Sequence, residues 1–222
     1  MKLYLKNHAE RYPVEQLQLQ LFAQEPSEFC AEPFTGDGTV SSLSRGKRYL
    51  TATAKVTYQG KTGFASNRVL LEKADVRATR RILQRSYYLA ALQVLPAAPP
   101  WGALSGVRPT KLSTKCLMAG GSERDAERLL RQTYFVSPER ARLCVDASRH
   151  TVEAAKKLDA DDLSVYIGIP FCPTRCAYCS FVSQSIERFG EFLPAYLDAL
   201  LREIAHTGAL LKNSGFHIRT LY

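Results

Sequence analysis

The clearest pattern in the chain is an alternation of apolar and polar residues between Tyr49 and Tyr58. A period of two is typical of a half-buried β-strand, because successive side chains of a strand point to opposite faces. The turn residues Gln59-Gly60-Lys61 follow, and residues 62 to 70 form a second strand-like run. We therefore predict an antiparallel hairpin here. Its buried face would carry Leu50, Ala52, Ala54, Val56 and Tyr58.

The rest of the first 158 residues is predicted to be mainly helical. Before the hairpin we predict a strand at residues 2 to 6, a helix at residues 12 to 24, and a Gly/Ser/Thr/Pro-rich loop at residues 32 to 46. After it we predict four helices: one capped by Asp75 and ending near Leu95 before Pro96, one from Pro109 to Gly120-Gly121, one opened by Ser122-x-x-Asp125, and one from Ser137-Pro138-Glu139 to about Leu158. Residues 1–158 are thus predicted to form an α+β accessory domain with a helical connector.

A different pattern starts at Leu163. Residues 165 to 170 are apolar on both faces, as in a parallel strand buried inside a barrel. Residues 190 to 212 predict an amphipathic helix with Pro194 in its first turn, and residues 216 to 222 predict a second strand. The apolar side of that helix would carry Phe189, Leu193, Tyr196, Leu197, Leu200 and Ile204. The chain is therefore predicted to be α/β, with residues 159–222 forming the first βαβ unit of a second domain.

Composition and charge narrow the class of protein. The 222 residues are 45% hydrophobic, which is enough to bury real cores, and the net charge is +9. Part of this charge recurs at near-helical spacing from Arg77 to Arg85, which predicts a solvated helix face. A basic surface also attracts polyanions, but the chain lacks the interleaved aromatics and glycines of RNA-recognition motifs, which disfavours nucleic acid as a ligand. No secretion signal or membrane-spanning run is visible, so we expect a cytoplasmic protein.

The strongest candidate chemistry lies in three closely spaced cysteines, Cys172, Cys176 and Cys179, directly after a predicted strand. Their loop must wrap around something small, because an extended strand would spread the three thiols over about 23 Å. A structural zinc ion normally takes four protein ligands, whereas an iron-sulfur cluster with three cysteines leaves one iron open to an added ligand. The CxxxCxxC spacing therefore favours a cluster. The alternatives are cysteines with no metal role, or a zinc knuckle completed by His150, His206 or His217.

The other three cysteines are scattered along the chain. Cys30, Cys116 and Cys144 do not form a disulfide framework, and we predict that they are buried, inert thiols.

These motifs resemble the radical S-adenosylmethionine (SAM) superfamily, whose signature is a CxxxCxxC loop after the first strand of a partial (βα) barrel. The flanking runs YIGIPFC from Tyr166 and CAYC from Cys176 resemble the oxygen-independent coproporphyrinogen III oxidase family. The run PWGALSGVRPTK from Pro100 resembles a segment of its coproporphyrinogen dehydrogenase, HemZ-type branch, which carries an extra N-terminal domain. The resemblance covers most of the chain.

The resemblance implies that Cys172, Cys176 and Cys179 hold a [4Fe-4S] cluster and that Tyr166 and Tyr178 contact SAM. It implies an oxidoreductase that cleaves SAM and oxidatively decarboxylates coproporphyrinogen III to protoporphyrinogen IX in haem and porphyrin biosynthesis. The electron would come from a flavodoxin- or ferredoxin-type donor. It also implies that a complete barrel needs further strands, so we expect an N-terminal fragment of the radical SAM partial barrel that is inactive alone. No catalytic residue is assigned within the chain.

Two positions depart from the family pattern. The oxidases carry a histidine where this chain has Gly168, and a further cysteine where it has Phe181. A haem-binding chaperone of the same family, which performs no decarboxylation, is therefore an alternative, and a radical SAM enzyme acting on RNA is a third. The resemblance gives Trp101 and Arg108 no catalytic role, and domain docking is the favoured interpretation for both.

Overall fold

The structure is a computed structural model that describes residues 1–105, 108–177 and 179–222. The chain divides into two compact units, Met1–Glu153 and Ala154–Tyr222. In the first unit the strands are β1 (Lys2–Lys6), β2 (Glu28–Cys30), β3 (Gly38–Arg45), β4 (Tyr49–Tyr58) and β5 (Lys61–Leu70). Its helices are α1 (Arg11–Leu21), α2 (Val76–Ala91), α3 (Thr110–Met118), α4 (Glu123–Arg128) and α5 (Pro138–Ala155), with a 3₁₀ turn at Leu71–Lys73 and a π-helical turn at Leu129–Thr133.

The predicted hairpin is confirmed. Tyr58 pairs with Lys61, which leaves a two-residue turn in which Gln59 and Gly60 both have positive φ, at 49° and 75°. Positive φ at both central residues matches the right-handed twist of the flanking strands. On β4, Ala52, Ala54 and Val56 are completely buried, as the alternation predicted.

The loop predicted at residues 32–46 was wrong in part, because much of it is the strand β3. The sheet runs β2-β1-β3-β4-β5, so β3 has a parallel neighbour in β1 and an antiparallel one in β4. Two flanking ladders satisfy its backbone whatever its composition, and sheet context commonly overrides weak strand propensity. The small side chains of Thr39 and Ser41 are fully buried.

Helix α2 packs directly on the sheet. It begins at the predicted cap, where the Asp75 carboxylate accepts a 2.6 Å hydrogen bond from the Ala78 amide. Its α-helical part ends at Ala91, before the predicted end near Leu95. The Ser86 hydroxyl donates to the Ala52 carbonyl oxygen on β4, and Gly63 on β5 lies so close to the helix that a Cβ there would meet the Ala90 carbonyl oxygen.

The helices α3, α4 and α5 form a second buried cluster in the first unit. Both hydrogen bonds of the predicted capping box at Ser122 and Asp125 are present. Helix α5 begins at Pro138 and ends at Ala155, three residues short of the prediction. Burial raises the pKa of the Cys144 thiol, as expected for an inert core cysteine, whereas Cys30 and Cys116 are only partly buried.

The second unit contains the predicted βαβ arrangement. Its elements are β6 (Asp162–Val165), β7 (Phe171–Cys172), β8 (Gln184–Ser185), α6 (Ile186–Phe189), a 3₁₀ turn at Gly190–Phe192, α7 (Leu193–Lys212) and β9 (His217–Leu221). Strands β6 and β9 pair in parallel, with α7 between them in sequence, and Pro194 lies in the first turn of α7 as predicted.

The strand predicted at residues 165 to 170 lies earlier in the chain than predicted, at Asp162–Val165, and the predicted residues are less buried than expected. Strand β6 ends at Val165, and Tyr166 and Ile169 are 63% and 61% exposed. The difference has a plain cause. Among the described residues, β6 has one strand neighbour, so the segment after it lacks the second neighbour that would bury both faces.

None of the helices that the structure describes is both long and apolar enough to cross a membrane.

Candidate functional site

The cysteine loop is closed by a short parallel ladder. Phe171 pairs with Gln184, and Cys172 pairs with Ser185. The Gln184 amide also donates a 2.6 Å hydrogen bond to the Pro170 carbonyl oxygen. These contacts hold the two ends of the loop together, so that the loop projects from the segment that follows β6.

The three predicted cysteines lie in this loop as free thiols. Cys172 lies on β7 and donates through Sγ to the Thr174 carbonyl oxygen at 2.8 Å. The Cys179 amide donates to the Cys176 carbonyl oxygen at 2.9 Å, which places these two cysteines on one turn. Cys176 is exposed, and the other two are partly buried. The loop therefore turns between Cys176 and Cys179 and leaves Cys176 exposed.

The donor set fits a cluster better than a single zinc ion. Across residues 1–105, 108–177 and 179–222, no three His, Cys, Asp or Glu side chains gather at one point where they could hold a single ion. A zinc ion needs its ligands within about 2.0–2.3 Å of one centre. In an iron-sulfur cluster each thiolate binds a different iron atom, so the thiols need only surround a larger group. Three cysteine thiols on one loop supply the donor type that such a cluster takes.

The predicted SAM-contacting residue Tyr166 lies on the segment after β6, and its ring is exposed. The ring stacks on that of Tyr222, with centroids 5.4 Å apart and an interplanar angle of 21°. A Cβ at Gly168 would lie 3.2 Å from the Tyr166 ring, so the absence of a side chain at Gly168 leaves room for the ring in this position. The second predicted SAM contact, Tyr178, lies outside the described residues.

A residue that sequence reasoning placed only on a helix face holds this region in position. Tyr196 of α7 donates a hydrogen bond from its hydroxyl to the Gly168 carbonyl oxygen at 2.5 Å. Its ring also meets that of Phe171 edge to face, with centroids 5.3 Å apart. Tyr196 therefore fixes the chain immediately before Cys172. The helical pattern put it on the apolar face of α7, but no sequence signal indicated its partners.

A cavity of about 510 Å³ lies beside this segment, within the second unit. Its walls come from residues 165 to 168, from α7 and from β9, and most of them are apolar. Tyr166 and Tyr196 line it, and Glu203 supplies the one carboxylate among its walls in the described part of the chain. An apolar cavity with a few polar groups is the usual form of a small-molecule site.

The Pro-Trp-Gly run of the first unit has a packing role. The Ala103 amide donates to the Tyr134 carbonyl oxygen at 2.7 Å, and the Ser137 amide donates to that of Pro100 at 2.9 Å. Trp101 packs against the second buried cluster, and the guanidinium of Arg140 lies 5.7 Å from its ring centroid. Trp101 is therefore partly buried against this cluster within the first unit, whereas Arg108 from the same motif is exposed.

Comparisons with known proteins give one informative relative. No protein-family model matches the chain, and no solved structure matches it. A protein of Bacillus subtilis (strain 168) described as an oxygen-independent coproporphyrinogen-III oxidase-like protein HemZ is 31% identical over 216 residues. The match covers 94% of this chain but 41% of the relative, so the chain spans about two fifths of the length of that protein. The chain is thus a homologue of the HemZ-type, oxygen-independent coproporphyrinogen-III oxidase-like protein, as the motifs indicated.

Proposed function

We propose that this chain carries the cluster-binding part of a radical SAM enzyme that oxidatively decarboxylates coproporphyrinogen III to protoporphyrinogen IX. The observation that carries the proposal is the loop after β6, which presents Cys172, Cys176 and Cys179 as free thiols on one curved segment. The homologous HemZ-like protein supports it, since its description names this oxidase class.

The proposed architecture assigns residues 1–158 to an accessory domain and connector, and residues 159–222 to the start of a partial (βα) barrel. The parallel pairing of β6 with β9 through α7 supports this assignment. So does the apolar surface of the second unit, where Phe181 is 73% exposed and no residue of α7 is buried. A larger barrel would cover these side chains, because apolar surface of this kind is normally buried against further elements.

In the proposed mechanism the three cysteines would hold a [4Fe-4S] cluster, and Tyr166 and Tyr178 would contact SAM. When bound, the cluster and SAM supply one-electron chemistry that takes hydrogen from an unactivated carbon, a step outside the reach of protein side chains. Tyr196 would keep the Gly168 carbonyl and the Phe171 ring in place, so that the loop presents its thiols in one arrangement. A flavodoxin- or ferredoxin-type protein would supply the electron.

The test uses the full-length protein, reconstituted anaerobically with iron and sulfide and given a reductant, SAM and coproporphyrinogen III. We expect loss of two carboxyl groups from the tetrapyrrole, measured by mass spectrometry, together with release of 5′-deoxyadenosine. Cys176→Ser should abolish iron and sulfide retention and both products. Cys30→Ser is the matched control, because Cys30 lies on the edge strand β2, far in sequence from the loop. This variant should retain iron and sulfide and release both products.

The departures at Gly168 and Phe181 favour a second candidate, haem binding without decarboxylation. A reconstituted protein that cleaves SAM, leaves the porphyrinogen unchanged and binds haem would support that candidate and contradict the decarboxylase. A protein whose iron content is the same in wild type and Cys176→Ser would contradict the cluster assignment itself.

A further inference from the structure

A basic groove lies on the first unit, between α3 and α5, and the function proposed above makes no use of it. We call it the α3 groove. It has a volume of about 690 Å³ and is lined by Arg108, Thr110, Lys111, Thr114, Lys115, Met118, Ala119 and Thr151. The Arg-Pro-Thr-Lys end of the sequence motif from Pro100 contributes three of these residues, Arg108, Thr110 and Lys111.

The charge of the groove is positive and uncompensated within the part of the chain that the structure describes. Lys111 and Lys115 are four residues apart on α3, which puts them on one side of the helix, and Arg108 precedes the helix and also lines the groove. Its lining contains no acidic residue, and none of these three cations forms an ion pair with a described residue. On α5, the carboxylates of Asp146 and Glu153 are both bound by Arg149, at 2.7 and 3.1 Å.

A buried hydroxyl network locks the two walls together. The hydroxyl oxygens of Ser113 and Ser148 are 2.7 Å apart, and Ser148 also donates to the Thr110 carbonyl oxygen at 3.2 Å. Thr114, which lines the groove, donates to the Ser148 hydroxyl at 3.0 Å. A network of this kind between two helices fixes their relative position, so the backbone positions on α3 that carry Lys111 and Lys115 are fixed relative to α5.

The chemistry of the lining selects among anions. Lysine ammonium groups, an arginine guanidinium and threonine hydroxyls are all donors that suit the several oxygens of a phosphate group. A porphyrinogen would need extended apolar walls, and only Met118 and Ala119 provide apolar side chains here. No aromatic ring belongs to the described lining, so bases of a single strand have nothing to stack on. We propose that the α3 groove binds the phosphate groups of a polyphosphate-bearing ligand.

The experiment titrates the 222-residue chain with inorganic triphosphate by calorimetry, beside the variant K111E/K115E. Both lysines are exposed, so the substitutions remove positive charge from the groove without disturbing a core. We expect binding to the wild type and about tenfold or greater weakening in the variant, because charge-assisted hydrogen bonds to phosphate are lost. The matched control K156E/K157E makes the same charge change at exposed lysines after α5 and should bind within about twofold of wild type.

Two further ligands identify the source of the phosphate. ATP represents a free nucleotide, and a duplex RNA of about 16 base pairs represents a nucleic-acid backbone. Tighter binding of either than of triphosphate, lost in K111E/K115E, supports the site and names the source. Absence of binding to all three ligands, or equal weakening in K111E/K115E and K156E/K157E, would overturn the proposal. If circular dichroism shows that K111E/K115E is unfolded, K111Q/K115Q replaces it under the same criteria.

Discussion

At the scale of single residues, Tyr87 is a buried polar group whose ionisation should lower stability at high pH. Its ring is completely buried under the sheet, and neither its hydroxyl nor that of nearby Thr39 has a hydrogen-bond partner in the described structure. The two hydroxyls are close enough to influence each other, but their geometry is not that of a hydrogen bond. Desolvation raises the pKa of Tyr87 well above its ordinary value, because the charged form has no water around it.

We predict that Tyr87→Phe is at least as stable as wild type. Removing a buried hydroxyl that lacks a partner should raise the free energy of unfolding at pH 7 by about 1 kcal/mol. The raised pKa keeps the folded side chain neutral while the unfolded one ionises near pH 10, so its contribution is constant below that pH and stability falls as the pH rises further. Stability of the wild type should therefore fall above about pH 10 more steeply than that of the variant.

Urea unfolding at pH 7 and pH 10.5, followed by Trp101 fluorescence, measures both effects. Tyr12→Phe, at an exposed tyrosine, is the control and should change neither. A loss of stability in Tyr87→Phe at pH 7 would mean that the hydroxyl has a partner after all.

The sequence predicted the candidate site only in part, because a motif shows which residues are close in sequence but not which distant residues they contact. Cys172, Cys176 and Cys179 could be singled out as candidates because their spacing is a local signal. Tyr196 could not be assigned its role, because its hydrogen bond to Gly168 joins residues 28 positions apart. A periodic pattern states which side of a helix is apolar, but it does not state what that side touches.

At the scale of elements, predictions were correct where the signal is local in sequence and wrong where the structure depends on contacts between distant residues. The β4–β5 hairpin was predicted correctly because its alternation and its turn are both local signals. Strand β3 was missed because its Gly, Ser and Thr residues favour a loop, and its two ladders, to β1 and β4, are contacts that composition does not report. The helix caps at Asp75 and Ser122 were recognisable because each is made by residues three positions apart.

The contact between α2 and β5 gives a prediction at this scale. In Gly63→Ala, the new Cβ would lie 2.0 Å from the Ala90 carbonyl oxygen, a backbone atom of a packed helix that cannot move aside freely. We expect a loss of about 1–3 kcal/mol in the free energy of unfolding, as for other overpacked sites. Trp101 fluorescence during urea unfolding measures it, since this is the single tryptophan of the chain and belongs to the first unit.

The matched control is Gly208→Ala on α7, where a new Cβ would meet nothing within 4 Å. This substitution should raise helix stability by about 0.5–1 kcal/mol, because alanine loses less backbone freedom than glycine. Far-ultraviolet circular dichroism follows it. A Gly63→Ala protein as stable as wild type would show that α2 does not pack as closely on β5 as described.

At the scale of the whole molecule, the buried residues are unevenly distributed. Both hydrophobic clusters of the described structure lie within Met1–Glu153. In the second unit, β9 is exposed along its full length and α7 buries no residue. Hydrophobic burial is the main driving force of folding, so the two units should differ sharply in stability.

We predict that residues 1–153, produced alone, unfold in one cooperative transition near that of the full chain. Residues 154–222 alone should show no cooperative transition, because they bury too little apolar surface to offset the entropy of folding. Thermal melts followed by circular dichroism test both. A cooperative melt of residues 154–222, or an unfolded 1–153 segment, would contradict this division of stability.

The pairing of β6 with β9 also determines the order in which the cysteine loop becomes structured during synthesis. Asp162 pairs with His217, so 55 residues (217 − 162) separate the partners, and all three loop cysteines are translated between them. At about 5–20 residues per second, the ribosome needs roughly 3–11 seconds to make that interval. For the part of that time after Cys179 is made, all three thiols belong to a chain whose strand β9 does not yet exist. The three thiols are therefore open to oxidation on the nascent chain before β9 can pair with β6.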